Sequence, residues 1–425
     1  MLACDIPQKP STRSEKAIRH LCYRLVCMKI GLALVLVAAT GVTEGFSPTG
    51  GQEAENATVK YLRADAALRQ SYALPPDAAT QLLKALDSPL NGEDEKLVAA
   101  ATEALVEFHH GAGLKRCDWT MSIEDGPLAN TAHRGAVKEL VAVAGLRARL
   151  RFRDGDTDGA VSDALAAMAA ARHLSGDGSL ASVLFAYGLE DAVTRVLAQN
   201  LYRLSAGELN RLASGLDALP SGSSLAIAFK SEKVDRNDLF LRLADGATSR
   251  DDLVARLLKK VPILESDRAR ASKIVDGCGS CVSGFRTCAQ QQQSFYASWS
   301  SRFTMPPKQF ESTYKSEMEG IAGANPLIRL FTPNLPRFRW ADSYRETRRA
   351  LLKAAIVVRL DGPSAVNQHP DPSDGNPFSY IPVGGGFQLE SRQNEAGSPL
   401  ALSIPTSPAG DSGSPEQSVP TPNMD

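Results

Sequence analysis

Residues 134–174 read RGAVKELVAVAGLRARLRFRDGDTDGAVSDALAAMAAARHL, and the spacing of their apolar positions decides the fold class. Leu140, Val143, Leu146 and Leu150 fall three or four apart, which places them on one face of a helix. After Asp154-Gly155-Asp156-Thr157-Asp158-Gly159 the same spacing resumes at Val161, Leu165 and Met168. Each stripe must be buried against a neighbour, so the segment predicts a helical hairpin. Small residues at Ala144, Ala148, Ala160 and Ala167 allow the two helices to approach closely.

The pattern extends outward in both directions. Helix-period stripes broken by short Gly, Asp, Pro and Ser segments run over 57–360, with the clearest further helices at 94–109, 180–204 and 340–360. Leu189, Val193, Val196 and Leu197 mark the buried face of the 180–204 helix. Ser205 with Glu208 three positions on has the form of a capping box, and Pro220 with Gly222 breaks the chain again. No repeat of about 34 residues recurs, which excludes a regular tetratricopeptide array. The predicted fold is therefore mainly α: an irregular helical-hairpin array, solenoid or bundle, over 57–360, with a small C-terminal β-hairpin over 361–392. Within that last stretch, 371–391 reads as a turn, a strand, a Gly turn and a second strand. From 393 to 425 Pro, Ser and Gly dominate, and a disordered tail is expected.

Upstream, the apolar run at 30–42 follows the basic stretch 19–29. It is shorter than the roughly 20 residues of a membrane-spanning helix and fits the core of a signal peptide. Small residues up to Gly45 offer peptidase sites, so 1–45 is read as a signal peptide or N-terminal anchor, with Met28 as an alternative start. Cleavage would place the chain in the periplasm or cell envelope, and retention would tether it to the inner membrane. With 47 basic and 48 acidic residues the chain has no global field for nucleic acid or an anionic membrane surface.

Export shapes the reading of the cysteines. Cys4, Cys22 and Cys27 would leave with the signal, while Cys117, Cys278, Cys281 and Cys288 would remain. An even count in an oxidising compartment favours two disulfides, for which three pairings exist. Cys278-Gly279-Ser280-Cys281 also has the spacing of a redox-active pair, although no thioredoxin-like strand precedes it. A zinc held by four thiolates is a third reading. Asp154, Asp156 and Asp158 occupy the first, third and fifth positions of a calcium loop with Gly159 at the sixth. Leu165 stands where the completing carboxylate is needed, so an interhelical turn with Asp caps is the plainer reading. His109 and His110 fit a helix C-terminus, His133 and His173 lack a metal-binding partner spacing, and no Gly-x-Ser-x-Gly elbow occurs. Trp119 and the group Phe295, Tyr296, Trp299 and Phe303 are expected in the core.

Cys117-Asp118-Trp119, Glu124-Asp125-Gly126-Pro127 and the Asp154 turn resemble a family of uncharacterised exported bacterial proteins. The likeness continues in Asp371, Pro372, Gly375, Pro377, Phe378, Tyr380, Gly386, Phe387, Leu389 and Ser391. It implies export and brings no activity. The segment 340–391 is also similar to the C-terminal hairpin of major pseudopilins, but it lacks their processing signal, so the likeness concerns hairpin geometry. Together these readings lead to an expected non-catalytic binding or scaffold protein of the envelope with a protein or peptide partner. A thiol-disulfide enzyme using Cys278 and Cys281 and a calcium-stabilised structural protein are the alternatives.

Overall fold

The computed structural model describes residues 55–75, 77–119, 132–261, 264–321, 325–332, 334–395 and 398–407. Residues 1–45, read from the sequence as a signal peptide or anchor and containing Cys4, Cys22 and Cys27, lie outside these, as do the Glu124 to Pro127 motif and residues 408–425. No helix among the described residues is long and apolar enough to cross a membrane.

The quoted hairpin is present as α5 (Ala132–Asp154) and α6 (Thr157–Ser175), assigning the preceding helices as α1 (Ala57–Ser71), α2 (Ala78–Ala85), α3 (Gly92–Ala100) and α4 (Thr102–Ala112). Leu140, Val143 and Leu146 are fully buried, and α6 is buried on almost every side because Ala dominates it. It lies among α5, α4 and the following helix α7 (Leu180–Asn200). The helix expected over 94–109 is two, not one. Ala101 adopts φ −81°, ψ 8° between α3 and α4, which lets α3 pack on α5 while α4 packs on α1. Tertiary contacts override the unbroken helical pattern there. Ser205 and Glu208 form the expected capping box at the start of α8 (Ala206–Ala218).

The chain then builds α9 (Leu225–Asp245), α10 (Arg250–Lys260), α11 (Arg268–Gly277), α12 (Val282–Ser300), α13 (Pro307–Ile321) and α14 (Pro326–Phe331). One apolar cluster joins Leu253, Leu257, Ile274, Phe285 and Leu327 of these helices. A second is aromatic: Phe229, Phe295, Tyr296, Trp299, Phe303 and Phe310 meet Leu180 and Val183 of α7. Phe229 stacks on Tyr296 at 4.5 Å, and Trp299 meets the edge of Phe310 at 5.0 Å. The aromatic group read from the sequence is therefore core.

The long helix α15 (Leu335–Asp361) packs on α7 and carries the terminal sheet. The fold is thus mainly α with a small antiparallel sheet of β1 (Ser379–Val383), β2 (Gly386–Glu395) and β3 (Ser398–Pro405), ordered 1-2-3. Two strands and their Gly384-Gly385 turn are where the sequence puts them; Gly385 has φ +85°, which only glycine adopts freely. The expected start of disorder at Gln393 is corrected, because Gln393 to Glu395 extends β2 and β3 follows. Leu400, Leu402 and Ile404 alternate inward, and the Arg348 guanidinium donates to the Ala401 carbonyl at 2.6 Å.

The Asp371 motif is an internal brace. Its carboxylate, in a residue 1% exposed, accepts from the Ser373 amide, the Ser391 hydroxyl and the Arg392 amide. Asp371→Ala strands these donors and is expected to cost about 2–3 kcal/mol, read by urea unfolding. A loss within experimental scatter of zero would contradict the brace.

Candidate functional site

The C-D-W strap is fixed to the start of α1. The Asn56 side chain accepts from the Asp118 amide at 2.9 Å and donates to the Asp118 carbonyl at 2.9 Å, while capping Thr58. This holds Trp119 in the interior, where its indole N–H donates to the His173 carbonyl at 2.7 Å. Trp119 stacks on Tyr61 at 5.9 Å and on His133 at 4.9 Å. The Tyr61 hydroxyl and His173 Nδ1 are hydrogen-bonded at 2.8 Å.

Beside this aromatic stack lies an open depression of about 270 Å³, lined in part by Lys115, Cys117, Arg172, His173, Gly222 and Ile227. Arg172 spans it from α6, donating to the Pro220 carbonyl at 2.9 Å and pairing with Glu190 at 3.3 Å. Gly222 has φ +68°, and a Cβ there would lie 3.0 Å from Ser175 Oγ and 3.3 Å from Arg172 Cβ, so glycine lets the 220–223 loop close onto α6. Cys117 and His173 line the same depression, yet their chemistry is opposite to that of a nucleophilic dyad. Burial pushes the Cys117 thiol up to about 11, with Thr58 opposing, and pushes His173 down to about 4. A thiolate–imidazolium pair needs both shifts reversed. What remains is a rim with one cation, Lys115, and the apolar Ile227, since Arg172 is spent on Glu190.

Three buried carboxylates of the helical body are committed to cationic or hydrogen-bonding partners. Asp163, fully buried on α6, accepts from His109 at 2.6 Å, from Arg147 at 2.5 and 2.9 Å, and from Arg151 at 3.0 Å. Asp177, between α6 and α7, holds His133, Arg134, Ser182 and the Ser179 amide. Glu190 bridges Arg172 and Arg349 of α15, and the Tyr187 hydroxyl donates to Asp342 at 2.5 Å. His109 stands in the last turn of α4, as read, and it and His133 also bind carboxylates of neighbouring elements.

The sequence-predicted site residues separate into different places. Asp154 pairs with Arg153, Asp156 caps α6 through Gly159 and pairs with Arg151, and Asp158 pairs with Arg211. The calcium-loop carboxylates are thereby spent on arginines and a helix cap. Among the described residues no group of three or more His, Cys, Asp or Glu is disposed to hold a metal. Cys117 sits against Thr58 at 3.5 Å. Cys278 and Cys288 lie together in the apolar cluster of α9 to α12, whereas Cys281 is exposed at the N-cap of α12. All four are free thiols, so the structure neither joins Cys117 to the later cluster nor turns Cys278 toward Cys281 as a bonded pair.

The sequence reading missed the charged residues inside apolar stripes: Asp163 between Val161 and Leu165, and Glu190 between Leu189 and Val193. A lone carboxylate within a buried stripe is the available signal, since it requires a partner. Comparisons with protein families, curated proteins and solved structures found no match to this chain.

Proposed function

We propose that this chain is an exported bacterial protein of the periplasm or cell envelope and acts as a non-catalytic binding or scaffold protein for a protein or peptide partner. The apolar run at 30–42 supports export. The observation that carries the non-catalytic reading is the commitment of Asp163, Asp177 and Glu190 to buried arginine and histidine partners. Such pairs fix helices against one another and withdraw these three carboxylates from acid–base work on a substrate. The depression beside His173 supplies the contact surface, with Lys115 favouring an acidic group and Ile227, 57% exposed, an apolar side chain.

Site-specific photocrosslinking tests this reading. A photoreactive residue at position 227 is expected to give one discrete adduct in intact cells, weakened at least several-fold by Lys115→Glu. Equal adduct yields from position 227 and from exposed Val383, or no dependence on Lys115, would remove the depression as the contact surface.

A further inference from the structure

Three cysteines lie within eleven residues of one another, and the fold sorts them by environment rather than by sequence spacing. Cys278 ends α11 and is 4% exposed, and Cys288 lies in the second turn of α12 and is 7% exposed. Both belong to the apolar cluster with Ile274, Phe285 and Leu327, and Cys288 lies near enough to the Cys278 thiol to help raise its pKa. The turn between them passes through Gly279 at φ +94° and Ser280 at φ +56°. Cys281 faces the other way. Its sulfur accepts from the Gly284 amide at 3.3 Å and lies 3.3 Å from the Ser283 hydroxyl, in solvent.

We propose that Cys278 and Cys288 are the pair that closes to a disulfide, tying α11 to α12 inside the core, and that Cys281 is a separate, reactive thiol for mixed-disulfide formation. This replaces the Cys278–Cys281 pairing suggested by the C-x-x-C spacing and goes beyond the binding reading without depending on it. The chemistry balances with a small-molecule disulfide R–S–S–R as oxidant. Cys278 and Cys288 together lose two protons and two electrons as their S–S bond forms, and the R–S–S–R bond breaks to give two R–SH. At Cys281 a single exchange forms Cys281–S–S–R and releases one R–SH. The hydrogen bonds to Cys281 from Ser283 and from the Gly284 amide at the start of α12 hold its pKa below the usual thiol value and favour the attacking thiolate. Burial, reinforced by Cys288, holds Cys278 well above that value, so the buried pair reacts only as the core opens.

The test uses the full chain equilibrated with glutathione disulfide, acid-quenched, thiol-blocked and digested with trypsin without reduction. Cleavage after Lys273, Arg286 and Arg302 puts Cys278 and Cys281 in peptide 274–286 and Cys288 in peptide 287–302. The expected product joins the two peptides and carries glutathione on Cys281. In C281S the cross-link persists and the glutathione adduct disappears, while in C278A the cross-link is lost. A bond internal to 274–286, a cross-link lost in C281S, or no cross-link in the oxidised wild type overturns the proposal. Because C281S alters an exposed position, its result stands even where C278A fails to fold.

Discussion

Asp163→Ala is expected to lower the unfolding free energy by about 3–5 kcal/mol. The carboxylate is fully buried and is the common acceptor of His109, Arg147 and Arg151, which come from α4 and α5. Removing it leaves Arg147 without its counter-charge in a partly dehydrated space, while Arg151 keeps only Asp156. Asp163→Asn retains the shape and some hydrogen bonding and should lose less. Urea unfolding followed by circular dichroism measures both, and a loss below about 1 kcal/mol for the Ala variant would mean that water already satisfies the arginines. The same network holds the Asp163 carboxyl below its usual 3.8, chiefly through His109 and Arg147 against the cost of burial. Its contribution is therefore complete above the usual carboxylate range and is lost as pH falls through the lower folded value.

The second large effect is a loss of stability on acidification through a higher window, from His173. Burial pushes this imidazole from 6.5 down to about 4, with the Leu114 backbone weakly opposing. The unfolded chain takes up the proton near pH 6.5 and the folded chain only near pH 4. Between these values the unfolded state binds more protons, so stability declines as pH falls, by about 3 kcal/mol in total. The groups around the ring do not reverse the sign. Tyr61 on α1 is kept protonated by burial and Cys117 is protonated throughout, so neither places a negative charge beside the ring. Asp163 and Asp177 are held below 3.8 and act in a lower window. His173→Gln, which keeps a polar group toward Tyr61, should flatten the slope between pH 6.5 and 4 relative to the native chain. An unchanged slope would assign the acid sensitivity to other groups.

These two sites also mark where sequence reading succeeded and where it ended. Val143, Leu146 and Met168 announced the α5–α6 hairpin because burial imposes a helical period on apolar residues. The Ser205–Glu208 cap was equally local and equally legible. Breaks decided by distant partners were not: nothing near Ala101 in sequence says that α3 and α4 will choose different neighbours. Strand β3 was hidden by composition, since its Pro and Ser residues outweigh the Leu400, Leu402, Ile404 alternation that pairing with β2 rewards. The site partners are still more remote in sequence, with Tyr187 meeting Asp342 and Glu190 meeting Arg349 more than 150 positions away. Periodicity carries no information about such pairs. The cysteine spacing pointed to Cys278 and Cys281, whereas the fold buries Cys278 and Cys288 in one apolar cluster and leaves Cys281 in solvent.

Export is the premise on which the envelope role rests, and Cys281 reports it directly. Cells expressing the full chain, with the outer barrier permeabilised and the inner membrane intact, are treated with a membrane-impermeant maleimide, with C281S as the control. After a membrane-impermeant reductant has released any mixed disulfide at Cys281, an exported chain is labelled there before lysis to the same extent as after it, and the label is absent from the C281S variant. Labelling that appears only after the inner membrane is broken would place the protein inside the cell and contradict the account.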